Sequence, residues 1–169
     1  MSPFHPTLRS IRVLVFTPSG WIRGVFHVPE IQNFLAFLNH QEELLKLTDV
    51  VLPGSQQVEP FLGLYKSATL LVVPLEDLKD QGVRPTVGNQ ENRLVTCLLN
   101  IGSIRGRLDV PEAQRTSDFL LRHPGFMELR QCHIGPNSFL NPEETLKESL
   151  PVVYVNTKAL VGTTENNSN

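Results

Sequence analysis

From Val13 to Thr17 the chain is β-branched and aromatic, Pro18-Ser19-Gly20 supplies turn chemistry, and Trp21 to Val28 continues as an alternating apolar stretch. Two such runs around a short break containing glycine predict a β-hairpin. After Pro29 the apolar residues Ile31, Phe34, Leu35 and Leu38 fall at helical spacing. A short helix is predicted there, with Pro29 in its first turn, where a missing N–H leaves no bond unmade. Thr48 to Leu52 and Leu70 to Val73 read as two further strands, so the order is β-β-α-β-β.

The same order returns further along. Shifting the chain by 82 positions sets Val13–Leu52 on Val95–Ile134 without a gap, with twelve identities in forty that include Ile22-Arg23-Gly24 on Ile104-Arg105-Gly106 and Val28-Pro29-Glu30 on Val110-Pro111-Glu112. Random pairing gives roughly two or three, so the self-similarity predicts a tandem duplication. In the second copy Asn100-Ile101-Gly102 is the turn. Ser117 to Leu121 is the helix, with Thr116 or Ser117 as its cap and His123-Pro124-Gly125 as its end, and Gln131–Ile134 and Val152–Val155 are the closing strands. The last of these lies on Leu70–Val73 at the same shift. The fold class is therefore α+β, mainly β, built as a tail (1–10), a first module (11–74), a linker (75–92), a second module (93–162) and a disordered polar tail (163–169). A module this small buries only about 60% of the surface its unfolded chain exposes, so each copy is expected to need a neighbour.

Composition removes several classes of partner. Fifteen Lys and Arg against seventeen Asp and Glu leave a net charge of -2, which offers no field for nucleic acid or an anionic membrane. Apolar runs such as Leu70–Val73 are far shorter than the ~20 residues of a spanning helix. The stretch Met1–Ser10 has no apolar secretory core, so a cytoplasmic location is expected. Cys97 and Cys132 sit in apolar strand-like surroundings and read as reduced core residues.

Particular residues carry a resemblance. Val13 to Val28, a strand, a glycine turn and then Ile22-Arg23-Gly24, resembles the opening of an Sm-like small β-barrel, with Gly24 or Gly106 at the bend. Arg115-Thr116-Ser117-Asp118-Phe119-Leu120 is similar to an uncharacterised bacterial domain family with an Arg-x-Ser-Asp-x-Leu signature. The first copy departs from it, with Asn33-Phe34-Leu35-Ala36 at that place. The resemblance implies a small barrel and names no substrate.

Candidate chemistry is sparse. Arg23 and Arg105 recur in the Ile-Arg-Gly triplet and suggest paired anion or partner contacts, the plain alternative being solvent-facing strand arginines. Glu30 and Glu112 recur in what reads as a first helical turn, where the helix dipole favours an acid. His5, His27, His40, His123 and His133 lack the spacing of a helical metal site, and no phosphate loop or nucleophile elbow appears. Neither a cofactor nor a metal is therefore expected.

The second strands of the two copies differ in the face they offer. In the second copy Ser103, Arg105, Arg107 and Asp109 alternate with Ile104, Gly106, Leu108 and Val110, which is a strand with one wet face. The first copy places Trp21, Arg23, Val25 and His27 at the outward positions, so another surface is expected to cover that face, either the second copy or the N-terminal tail through Phe4, or else another protein or subunit. The candidate interaction residues are thus Trp21, Arg23, Val25, His27 and Arg105, in a non-enzymatic interaction or assembly protein whose partner is another protein or a second copy. The alternatives are a small-ligand, nucleotide or RNA module using the two arginines, or an enzyme whose site forms between the copies.

Overall fold

The computed structural model describes residues 5–41, 43–78, 88–135 and 149–166. The chain divides into two units, Met1–Arg84 and Pro85–Asn169.

In unit 1, β1 (Leu8–Thr17) and β2 (Gly20–Pro29) form the hairpin, α1 (Phe34–His40) follows, and then come β3 (Leu44–Val51), β4 (Val58–Tyr65), a 3-10 turn (Lys66–Ala68) and β5 (Leu71–Pro74). Antiparallel pairing orders these strands β5-β1-β2-β3-β4. The inner face is apolar because the strands alternate: Ile11, Val13 and Val15 meet Ile22, Phe26 and Val28, with Leu45, Leu47 and Val50 from β3. Asn33 caps α1, its side-chain oxygen accepting from Ala36 N at 2.7 Å, and Phe34, Phe37 and Leu38 point into this core. Phe26 lies 5.8 Å from Phe34 and 5.6 Å from Phe37, ring centre to ring centre.

Unit 2 has the same element order: β6 (Gln90–Leu99), β7 (Gly102–Pro111), α2 (Thr116–Arg122), β8 (Phe126–Ile134), β9 (Ser149–Asn156), a 3-10 turn (Thr157–Ala159) and β10 (Gly162–Glu165), with the strands ordered β10-β6-β7-β8-β9. Registers agree as well. Arg23 pairs with Val51 and Val25 with Thr48, while Arg105 pairs with His133 and Arg107 with Arg130, each at the 82-residue shift. One extra residue therefore bulges from β3 and from β8, and the residues there, Asp49 and Gln131, both stand at φ 50°. Opposite each bulge lies a glycine with no room for a side chain: a Cβ on Gly24 would meet Leu47 at 2.8 Å, and one on Gly106 would meet Cys132 Sγ at 2.9 Å.

Several sequence expectations are corrected. Among the described residues each unit has five strands, not four. The strand at Val58–Tyr65 escapes the pattern because Pro60 and Gly63 interrupt it, and β10 escapes because Gly162-Thr163-Thr164-Glu165 is short and polar. β4 corresponds to β9, and β5 to β10, at a shift of 91, so Leu70–Val73 and Val152–Val155 are not counterparts; the stretch between β3 and β4 is shorter than that between β8 and β9. Strand β1 starts inside the presumed tail 1–10, β6 inside the presumed linker 75–92, and β10 occupies part of the presumed disordered tail 163–169, its ladder closing on Val95–Leu98. The remaining linker positions 79–87 and tail positions 167–169 lie outside the described residues.

Pro29 ends β2 instead of opening α1, paired with Leu8 at the last rung. Glu30 and Glu112 lie in tight turns before the helices, where Gln32 N donates to Pro29 O and Gln114 N to Pro111 O, so neither meets a helix dipole. The N-cap of α2 is Arg115, without a side-chain cap bond, and Thr116 is buried beneath the first turn. Its hydroxyl is engaged elsewhere.

Candidate interaction face

Cross-strand partners in an antiparallel sheet project to one side, so the register gathers the outer face of unit 1. One row runs Arg12, Val25, Thr48, Phe61 and the next Leu14, Arg23, Val51, Val58, each crossing β1, β2, β3 and β4. Trp21 opposes Phe16 above these rows, and His27 opposes Ser10 below them.

Alternation on β2 matches the expected outward set: Arg23 and His27 are exposed, Trp21 and Val25 half-buried, and Ile22, Gly24, Phe26 and Val28 buried. His27 is held between two hydroxyls, with Nδ1 3.2 Å from Ser10 Oγ and Nε2 2.8 Å from Thr48 Oγ1. Trp21 sets its ring edge-on against Phe16 at 4.8 Å and 67°. Its own hairpin thus covers part of it, contrary to the expectation that its burial comes wholly from another surface. The indole Nε1 is buried and has no hydrogen-bond partner among the described residues. Arg105 lies exposed on β7 of unit 2, opposite Thr96 and His133, while Arg23 belongs to unit 1.

Exposure on this face rises toward β4. Leu14 and Phe16 on β1 are buried, whereas Val58, Phe61 and Tyr65 on β4 are 56%, 57% and 61% exposed, and Leu44, the partner of Tyr65, is 39% exposed. Four large apolar side chains are therefore left in water on one terminal strand and its neighbour. These residues were missed with the strand that carries them. The outer face of unit 2 is wet around β7: Asn92 Nδ2 donates to Asp109 at 2.9 Å, Arg107 donates to Asn92 at 3.2 Å, and Arg130 pairs with Asp109.

A second feature lies at the start of α2, an open groove of about 530 Å³ lined by Glu91, Arg93, Gln114, Arg115, Thr116 and Glu165, among others. The Arg93 side chain, only 10% exposed, donates to Glu91 at 3.0 and 3.2 Å and to Thr116 Oγ1 at 3.1 Å, and the Thr116 hydroxyl donates to Glu165 at 2.7 Å. The residues at the corresponding places in unit 1 are Ile11, Phe34 and Pro74, so an ionic network stands here where apolar side chains stand there. Each guanidinium nitrogen thus has a partner within unit 2.

Cys97 and Cys132 are free and buried, and burial pushes each thiol up to about 12, so neither offers a thiolate at neutral pH. Among the described residues no cluster of three His, Cys, Asp or Glu side chains could hold a metal ion, and no helix is long and apolar enough to cross a membrane. No family model, curated protein or solved structure matches the chain.

Proposed function

We propose that this chain is a non-enzymatic interaction or assembly protein built from a duplicated small β module of the Sm-like barrel type, working in a reducing, cytoplasmic setting. The observation that carries the reading is the exposed apolar set Val58, Phe61, Tyr65 and Leu44 at the β4 end of unit 1, continuous with Val25 and Arg23 of β2 along two cross-strand rows. Aromatic residues and arginine dominate the energetics of protein contacts, and this face supplies both. The duplication is supported by identical element orders and by bulges at equivalent positions, Asp49 and Gln131. A photo-reactive side chain at position 61 tests the reading. It should yield a discrete protein adduct that the same group at exposed Arg105 does not, and equal yields at both positions would remove β4 as the contact surface.

Binding of a small ligand is the second reading. It is favoured by the groove beside Arg93. A melt in the presence of nucleotide and small-anion mixtures tests it, a rise in melting temperature that Thr116→Phe abolishes being the positive result.

A further inference from the structure

The outer face of unit 2 is more cationic than that of unit 1 at matching positions. Across β6, β7 and β8 the register sets Thr96, Arg105 and His133 in one row and Leu94, Arg107 and Arg130 in the next, with Gln131 in the bulge beside them. The positions 82 earlier hold Leu14, Arg23 and Val51, then Arg12, Val25 and Thr48, with Asp49 in the bulge. Arg107 and His133 thus stand where unit 1 has valines, and an amide stands where it has a carboxylate. Two arginines and an aspartate in unit 1 face three arginines, a histidine and no acid in unit 2.

The cations of this face are not all spent within the sheet. Arg130 is engaged by Asp109 and by Glu128, whose Oε1 lies 3.4 Å from its Nε. Its charge is answered. Arg107 donates to Asn92 at 3.2 Å, a neutral partner that leaves its charge in place. Arg105 and His133 are exposed, and neither has a hydrogen-bond or ion-pair partner among the described residues. Asn166 Nδ2 donates to Thr96 Oγ1 at 3.3 Å, so the Thr96 hydroxyl keeps its own proton to give. Arg105 therefore has Arg107 about 7 Å along the same strand face, and Thr96 and His133 about 5 Å away across the ladder, Cβ to Cβ. Donors from three strands surround one point, and no carboxylate stands among them.

Independently of the interaction reading, which rests on unit 1, we propose that this face of unit 2 binds a phosphoryl dianion, as free phosphate or a small phosphate monoester. The group sits between Arg105 and Arg107, with Thr96 and His133 donating to its remaining oxygens. Two guanidinium charges match its two negative charges, and its three terminal oxygens accept from three directions. A carboxylate brings one charge and two oxygens, so it uses fewer of these donors. Arg23 lacks such companions, with Val25 and Val51 at the matching places.

The test follows the backbone amide and arginine Nε signals of the full chain by NMR as sodium phosphate or adenosine monophosphate is added, against sodium chloride at matched ionic strength. Saturable shifts should centre on Arg105, Arg107 and His133. Arg105→Gln should weaken binding about tenfold or more, Arg107→Val and His133→Val should weaken it too, and Arg23→Gln should leave it unchanged. Retained melting temperatures confirm that the variants fold, and His133→Val carries the test if Arg105→Gln does not. Saturation by phosphate alone assigns the free ion, and saturation by both probes assigns the monoester. Equal shifts from chloride, acetate binding as tightly as phosphate, shifts that survive Arg105→Gln, or shifts gathered on Arg93 and Thr116 would each overturn the proposal. The adduct at position 61 reads β4 of unit 1, so either result can fail while the other stands.

Discussion

Asp49 and Gln131 occupy one and the same left-handed backbone position, φ 50°, each at the bulge that lets its third principal strand turn past a glycine of the second. A side chain with a Cβ is strained there by about 1 kcal/mol, less for Asp, whose short polar group tolerates this region, than for Gln. Gln131→Gly should accordingly raise stability by up to about 1 kcal/mol, and Gln131→Val should lower it by more than that, because β-branched residues are least tolerant of positive φ. Denaturant melts of the two variants check the order. Equal stability of Gly, Gln and Val at 131 would remove the strain.

The two glycines facing the bulges should not be equally replaceable. At Gly24 a Cβ would meet Leu47 Cδ2 at 2.8 Å, Leu47 Cβ at 3.2 Å and Val50 Cγ2 at 3.4 Å, and the nearest of these is a side-chain end that can swing, whereas at Gly106 it would meet Cys132 Sγ at 2.9 Å, Leu129 Cβ at 3.1 Å and the backbone carbonyl oxygen of Arg130 at 3.2 Å. Gly106→Ala is expected to cost about 2–3 kcal/mol and Gly24→Ala about 1–2 kcal/mol, measured as the shift in denaturant midpoint. A milder effect at Gly106 than at Gly24 would contradict the packing described.

Trp21 separates two contributions. Its ring covers Phe16, while its Nε1 is buried without a partner among the described residues. Trp21→Phe keeps much of the ring contact and removes the unpaired donor, so the melting temperature should hold or rise. Trp21→Ser, which installs the residue found at the equivalent position 103, should cost about 2 kcal/mol. A large loss with Phe would mean that the indole nitrogen is hydrogen-bonded in solution.

Both cysteine thiols are held up from 9.0 to about 12 by burial. The neutral thiol is the form the fold keeps, and the unfolded chain releases those protons first as pH rises past 9. Stability contributed by the two groups is therefore complete below pH 9 and declines progressively between 9 and about 12. At pH 8 a thiol reagent should label the native protein only at the rate of opening, and at once in denaturant; fast native labelling of Cys97 or Cys132 would place that thiol at the surface.

Much of the fold was legible in the chain because β-branched alternation around Pro18-Ser19-Gly20 and Asn100-Ile101-Gly102 marks both hairpins, and the residues that agree at an 82-residue shift lie in elements of the same order. The outward set of β2 was legible for the same reason, since a strand has a period of two. The rest depends on neighbours. β4 hides behind Pro60 and Gly63, which belong at a sheet edge but read as breaks, and with it went Phe61 and Tyr65, the most exposed part of the face. The network of Arg93, Thr116 and Glu165 joins residues from β6, α2 and β10, and no local pattern announces a contact assembled from three elements.

That exchange of Ile11 and Phe34 for Arg93 and Thr116 makes the two helices answer to different solvents. Excluded salts such as sulfate strengthen the apolar seat of α1, and mobile ions compete for Glu91 and Glu165, whose side chains are 56% and 40% exposed, at the foot of α2. Raising ionic strength should slow amide exchange in α1 and speed it in α2, so that two helices seven residues long, placed alike in the same framework, drift apart in lifetime as the medium changes.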